Sequence, residues 1–494
     1  MRIALHNSGL AVACVLAMLA VPAVQAQEQS SGQNQGQSQQ NQSDSQGAQP
    51  IPAYHSPFAS AADNGDSDEV EPLQPDTRAL AGAQTLSVGS LEGVHNFWQP
   101  HIDVYGVGDS NNQETAVGNS WGTWASLSGG VDFHRTAGIS NTFLSYEGGG
   151  AFSNQSSASN GIVQQLGISE KLAMRRWTLT FLDQASYLPE ASFGYGGLGG
   201  GTLSTGTVGL GSGFSTGQTI LTGQGQNITN SFAAEADINL TPRTSFTFVG
   251  GYSLLHYFNS NLIDSNDASF RAGYNYLWTR KDTVAVFYTF STLRYGNSVQ
   301  SIDEHTFQLS YARRVTGRLA FQIAAGPQVA LFHVPIPSGS GSTGGTTPTS
   351  ATELYWALNT SVRYQLRRTS LGISYDHGVS SGSGVLGGSV MDTVNGSVTR
   401  QMSRTFSSGI SSGFSRNNGV VLGLSIPASQ TFDYWFVGAN FSHPVGRSLG
   451  LTFSYQLQYQ NSNSAFCIGP TCGTSVTRHL VSVGLGWHER PILF

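Results

Sequence analysis

Charge is what this sequence has least of. Only 11% of its 494 residues are Asp, Glu, Lys or Arg, against roughly 25% in ordinary soluble domains. Long apolar runs are missing too. After residue 26 no stretch of 18 or more apolar residues occurs, which excludes a membrane-spanning helix. The 12 histidines are scattered without the spacing of a metal site, so no metal or other cofactor is expected. No basic stripe points to nucleic acid. A chain so poor in charge, with no such helix, is disordered, a large soluble β-protein, or a barrel that crosses a membrane on strands.

What is present begins with export grammar. Arg2, the apolar stretch Ala11–Ala20 and Val24-Gln25-Ala26 have the layout of a signal peptide, 1–26, cleaved before Gln27. Cys14 lies inside the apolar run, with Val15–Val21 still to follow, which argues against a lipid anchor. Residues 27–97 carry nine acids and one base. They are first Gln-, Ser- and Asn-rich, then acidic and Pro-containing from Asp63 to Asp76, and predict a disordered tail. Residues 98–494 carry 20 acids and 21 bases, so the acidity belongs to the tail.

From Trp98 onward the period is two. Leu354, Trp356, Leu358, Thr360, Val362, Tyr364 and Leu366 fall on one face; Tyr355, Ala357, Asn359, Ser361, Arg363 and Gln365 fall on the other. Leu449–Tyr459, His305–Ala312, Phe270–Trp278 and Phe232–Leu240 repeat the split. A soluble sandwich also alternates, but these segments run to about 10–14 residues, beyond the soluble mode of about 5–6. The connections also alternate between short turns, such as Thr241–Arg243 and Val315–Arg318, and longer stretches, such as 189–226 and 461–474. The fold class expected is all-β: a transmembrane antiparallel up-and-down β-barrel of about 18 strands, with 16 the alternative, over 98–494.

The chain resembles the bacterial outer-membrane β-barrel proteins of porin-like size, in pattern over about 98–494 and in its terminal Phe494. That resemblance implies an outer-membrane location with the tail in the periplasm. It also implies lipid around the wall and recognition by the barrel assembly machinery, although Arg490-Pro491 interrupts the closing segment. Monomer and trimer stay open.

Candidate residues follow from strand phase. Glu147, Glu235, Asp237, Arg271 and Arg363 fall on polar faces and are expected in the lumen, as selectivity charges or as a structural network. Sixteen bases sit in or beside the short turns or the C-terminus: Arg135, Lys171, Arg175, Arg176, Arg243, Arg280, Lys281, Arg313, Arg314, Arg318, Arg367, Arg368, Arg400, Arg404, Arg447 and Arg490. They predict a basic ring at the periplasmic mouth. Either the acidic segment 63–76 docks on it as a gate, or the charges are simply solvated, and the weakness of exposed pairs favours the second. Cys467 and Cys472 are expected to form a disulfide.

Two G-x-S-x-G runs, Gly378–Gly382 and Gly409–Gly413, lack the strand-turn-helix setting of a nucleophile elbow. No enzyme is expected. The function expected is a porin-like channel for small polar solutes, with 189–226 as a candidate constriction. The alternatives are an export barrel for a secreted polysaccharide and a closed structural or adhesion barrel.

Overall fold

The computed structural model describes residues 96–110, 121–153, 161–188, 226–258, 262–296, 301–336, 347–380, 386, 388–403, 405–420, 430–463 and 475–494. The signal peptide, nearly all of the tail, the 189–225 stretch, Arg404 and both Cys467 and Cys472 lie outside these residues.

Alternating apolar and polar residues make the described chain extended almost throughout, since each strand parts two unlike solvents. The first strands are β1 (Phe97–Asp109), β2 (Gly122–Ala137), β3 (Ser140–Ser153), β4 (Gly161–Ala173), β5 (Trp177–Leu188) and β6 (Asn227–Thr241). Then come β7 (Thr244–Tyr257), β8 (Ser265–Leu277), β9 (Asp282–Tyr295), β10 (Ser301–Arg314), β11 (Leu319–Ile336) and β12 (Thr347–Gln365). The last are β13 (Thr369–Ser380), β14 (Ser389–Gln401), β15 (Ser407–Gly419), β16 (Thr431–Val445), β17 (Leu449–Ser462), β18 (Ser475–His488) and the two-residue β19 (Ile492–Leu493).

Each of the first eighteen pairs antiparallel with its sequence neighbours. Closure comes from β18 on β1, where Leu480 faces Asp109 and His488 faces His101. The barrel therefore has eighteen strands and no open edge, the state a lipid environment demands of a sheet. Pro491, which has no N–H to donate, stops the pairing of β18. Ile492 and Leu493 then resume it against Trp98 and Phe97, and the Phe494 ring stacks on Phe133 with centroids 5.8 Å apart.

The short turns gather at one end, the turn end, and the longer connections at the other, the loop end. Several turns share a device. Thr241, Thr279 and Thr316 each accept through Oγ1 from backbone N–H groups two or three residues on, at 3.0–3.2 Å. The hydroxyl satisfies the turn backbone locally, which leaves the adjoining Arg243, Arg280, Lys281 and Arg318 free to point into water. In the β2–β3 turn Gly138 takes φ 60°, a left-handed conformation that suits glycine.

The outer face is apolar over most of its height. Leu354, Trp278 and Leu309 are 73%, 64% and 61% exposed, a degree of apolar exposure that a water-surrounded monomer rarely tolerates. On β16 the outward residues Phe441, Ala439, Val437 and Trp435 lie between His443 and Asp433 and cover six steps of about 3.3 Å; with a tilt near 40° that is roughly 15 Å of height, within the apolar band of a membrane barrel.

Near the loop end the two faces exchange character. Outward positions become charged: His256 with Asp264, Arg294 and His333 with Asp303, His377 with Asp392, and Arg416 with Asp433. Several inward positions become apolar: Leu293, Tyr295, Ile302, Ala330 and Phe332 form one buried cluster, and Phe432, Tyr434 and Leu480 are buried at the same end. The reason is solvent. Above the hydrocarbon the outer face meets polar surroundings, and on one side the inner face packs against chain from beyond a strand end. Val420, just beyond β15, packs on the Leu293–Phe332 cluster, and its N–H donates to Gly388 O at 3.1 Å.

Candidate functional site: the lumen wall

Residues directly opposite in an antiparallel pair point to the same side, so the register carries the inward phase from strand to strand around the barrel. All five residues expected in the lumen lie on that phase. Glu147 accepts from Ser128 Oγ at 2.6 Å, and Asp237 accepts from Thr247 Oγ1. Glu235 and Arg271 flank one residue, Val249, on the strand between them, and the Arg271 guanidinium lies 4.2 Å from the centre of the Phe287 ring. Arg363 faces inward close to the turn end and is exposed.

Other inward charges were missed at the sequence level. The inward carboxylates are Asp103, Asp109, Asp132, Glu147, Glu235, Asp237, Asp267, Glu304, Glu353 and Asp376. The inward bases are Lys171, Arg271, Arg314, Arg363 and Arg478. That is ten against five among the described residues, so the inner wall is acidic although the barrel sequence as a whole is balanced. Strands β14–β17 present no inward acidic or basic side chain among the described residues; Thr393, Asn395, Ser415, Asn417, Ser454, Gln456, Gln458 and Gln460 line them instead.

Two clusters stand out. At the loop end Arg478 and Asp109 are both fully buried and joined at 2.6 Å, tying β18 to β1. At mid-height, on β1–β3, His101 lies between two carboxylates, with Nε2 3.7 Å from Asp103 and Nδ1 3.9 Å from Asp132. Gly130 makes that possible. A Cβ there would fall 2.5 Å from His101 Nε2 and closer still to the Tyr146 carbonyl. Strict alternation in β1, His101-Ile-Asp103-Val-Tyr105, was the signal that could have revealed these groups; the short turns drew attention to bases instead.

The bases expected as a ring lie at or next to the turn end, apart from Arg404, which is not among the described residues. They do not act alike. Arg314 points inward and is 8% exposed, whereas Arg313 points outward with Nε 3.6 Å from Asp282. Glu170, which accepts from Ser140 Oγ at 2.5 Å, adds an acid at that end. The acidic segment 63–76 lies outside the described residues. The Gly409–Gly413 run sits within β15, and Ser411 faces the lumen in mid-strand with no elbow around it. The inward-folded chain described at the loop end includes Gly388 and Val420, and the 189–226 connection, a candidate constriction, lies outside the described residues up to 225.

A closed antiparallel wall, apolar outside and polar inside, defines a transmembrane β-barrel of porin-like size. No protein-family model and no curated protein matches the chain. It is similar to the crystal structure of OpdQ from Pseudomonas aeruginosa over 80% of this chain and 99% of that one, at 10% identity and a TM-score of 0.39. It is similar also to OccAB3 of Acinetobacter baumannii, over 80% and 99%, at 8% identity and a TM-score of 0.36. A third similar structure is P. aeruginosa OccK2 in complex with glucuronate, over 81% and 98%, at 8% identity and a TM-score of 0.38. No residue's role follows from likenesses this distant.

Proposed function

We propose that the chain is a porin-like channel of an outer membrane, through which small polar solutes move passively down a gradient. The observation that carries the reading is the two-faced wall. Eighteen strands are enough to enclose an aqueous lumen, and the inner face is furnished with carboxylates, amides and hydroxyls that solutes in water can use. In this reading the turn end and the tail face the periplasm, and the loop end faces outward, as short turns and long loops do in such barrels. No described feature supplies an energy source.

The test is liposome swelling with the full mature chain and a panel of sugars, amino acids and anions of graded size. Swelling rates that fall with solute size are expected. Vesicles that hold folded barrel yet swell no faster than protein-free vesicles would refute the channel.

A further inference from the structure

Extending the channel reading, on which it rests, we propose that the lumen passes cations in preference to anions and holds them at a station formed by Asp103, Asp132 and Glu147. The acid surplus of the inner wall supplies the field, because like charges on low-dielectric walls concentrate counter-ions in the passage between them. Part of the interior charge is cancelled locally, although Glu304 and Asp376 meet hydroxyl or amide groups and no base among the described residues. Asp109 is joined to Arg478, and Glu235 stands beside Arg271 across a single residue.

The β1–β3 group is different. Asp103, Ser128 and Gly149 share one row across the three strands, and His101, Gly130 and Glu147 share the next toward the turn end. Asp132 lies one inward position further on. Three carboxylates thus occupy three successive inward rows. Among the described residues the partners they meet are an imidazole and hydroxyls, with no Lys or Arg in ion-pair contact.

Asp103 adds an independent sign of a missing partner. It is 5% exposed, and its Oδ1 has no hydrogen-bond donor. A buried carboxylate oxygen without a partner is disfavoured, and a passing ammonium or alkali cation supplies the charge and, for an ammonium, the donors that it lacks. Asp132 and Glu147 are only partly buried, which leaves the station open to solutes coming from the turn end. The chemistry selects small cations, organic ammonium solutes included.

The experiment places the full mature chain in planar bilayers under a tenfold KCl gradient and reads the reversal potential. A potassium-to-chloride permeability ratio above one is expected. The double variant Asp103→Asn/Glu147→Gln should lower it several-fold, while Asp433→Asn on the outer face should leave it unchanged. Conducting channels that are anion-selective, or a ratio the double variant does not move, overturn the station and leave the channel standing. If folded protein carries no current, the channel reading fails instead. Calorimetric titration of the detergent-solubilised chain with tetramethylammonium chloride then decides the station: binding lost in the double variant supports it, and no binding to the wild type overturns it.

Discussion

Asp109 and Arg478 sit where the last strand meets the first, far apart in sequence and 2.6 Å apart in space. Both are fully buried, and Arg478 donates from Nε and Nη2 to the same carboxylate oxygen at 2.9 and 2.6 Å. Ser110 reinforces the seam: its N–H donates to His479 O at 3.0 Å, and its Oγ accepts from the His479 N–H at 2.8 Å. Breaking a buried ion pair from one side leaves the other charge uncompensated, at a cost of about 3–5 kcal/mol. Asp109→Ala should therefore lose stability of that order in urea titrations of barrel folded into phospholipid vesicles. The double variant Asp109→Asn/Arg478→Met should recover most of it, because exchanging a buried pair for uncharged groups of similar volume is often close to neutral. Equal losses in the single and double variants would mean that the pair's charges do not matter to closure.

At the scale of the strand, the exchange of polarity toward the loop end tells where the hydrocarbon stops. On β16 the outward residues run Phe441, Ala439, Val437 and Trp435 before reaching Asp433 and Thr431, while inward Tyr434 and Phe432 become fully buried. An arginine facing lipid at mid-height costs about 2–4 kcal/mol, falling to about 0–1 near the interface. Val437→Arg should be destabilised by the larger amount and Thr431→Arg by the smaller, measured in the same vesicle titration; equal effects would show that β16 does not cross a bilayer. This exchange also marks the limit of what the sequence discloses. Alternation gave the strands, their number and the short turns, because the period of two and the clustered Arg, Thr and Gly are local signals. It gave the inward phase of Glu147, Glu235 and Asp237 for the same reason. Period alone says which residues share a face, however, and not which solvent that face meets at each height. Asp303 and Asp433 thus continue the lipid-facing phase of their strands yet lie above the lipid, and Ile302 and Phe432 continue the lumen phase yet pack as a core. The gathering of Asp103, Asp132 and Glu147 was equally out of reach, since it depends on the register of three strands at once.

For the whole molecule, the interior is polar and acidic over its height, and an apolar cluster stands among the inward groups at the loop end. Leu293, Tyr295, Ile302, Ala330 and Phe332 build the cluster on one side, and Val420 reaches it from the end of β15. An apolar constriction resists passage by shedding water, independent of the sign of the solute's charge. Selection by charge and restriction of flow are then separate properties, carried by different residues. Replacing Phe332 by Ser should widen and wet the passage there and raise single-channel conductance, while the reversal potential set by the acidic wall stays where it was. The Asp103→Asn/Glu147→Gln variant should do the reverse, moving the reversal potential with a smaller effect on conductance. A Phe332→Ser channel with unaltered conductance would place the narrowest point elsewhere. One whose conductance and selectivity changed together would show that the cluster and the acidic wall act as a single filter.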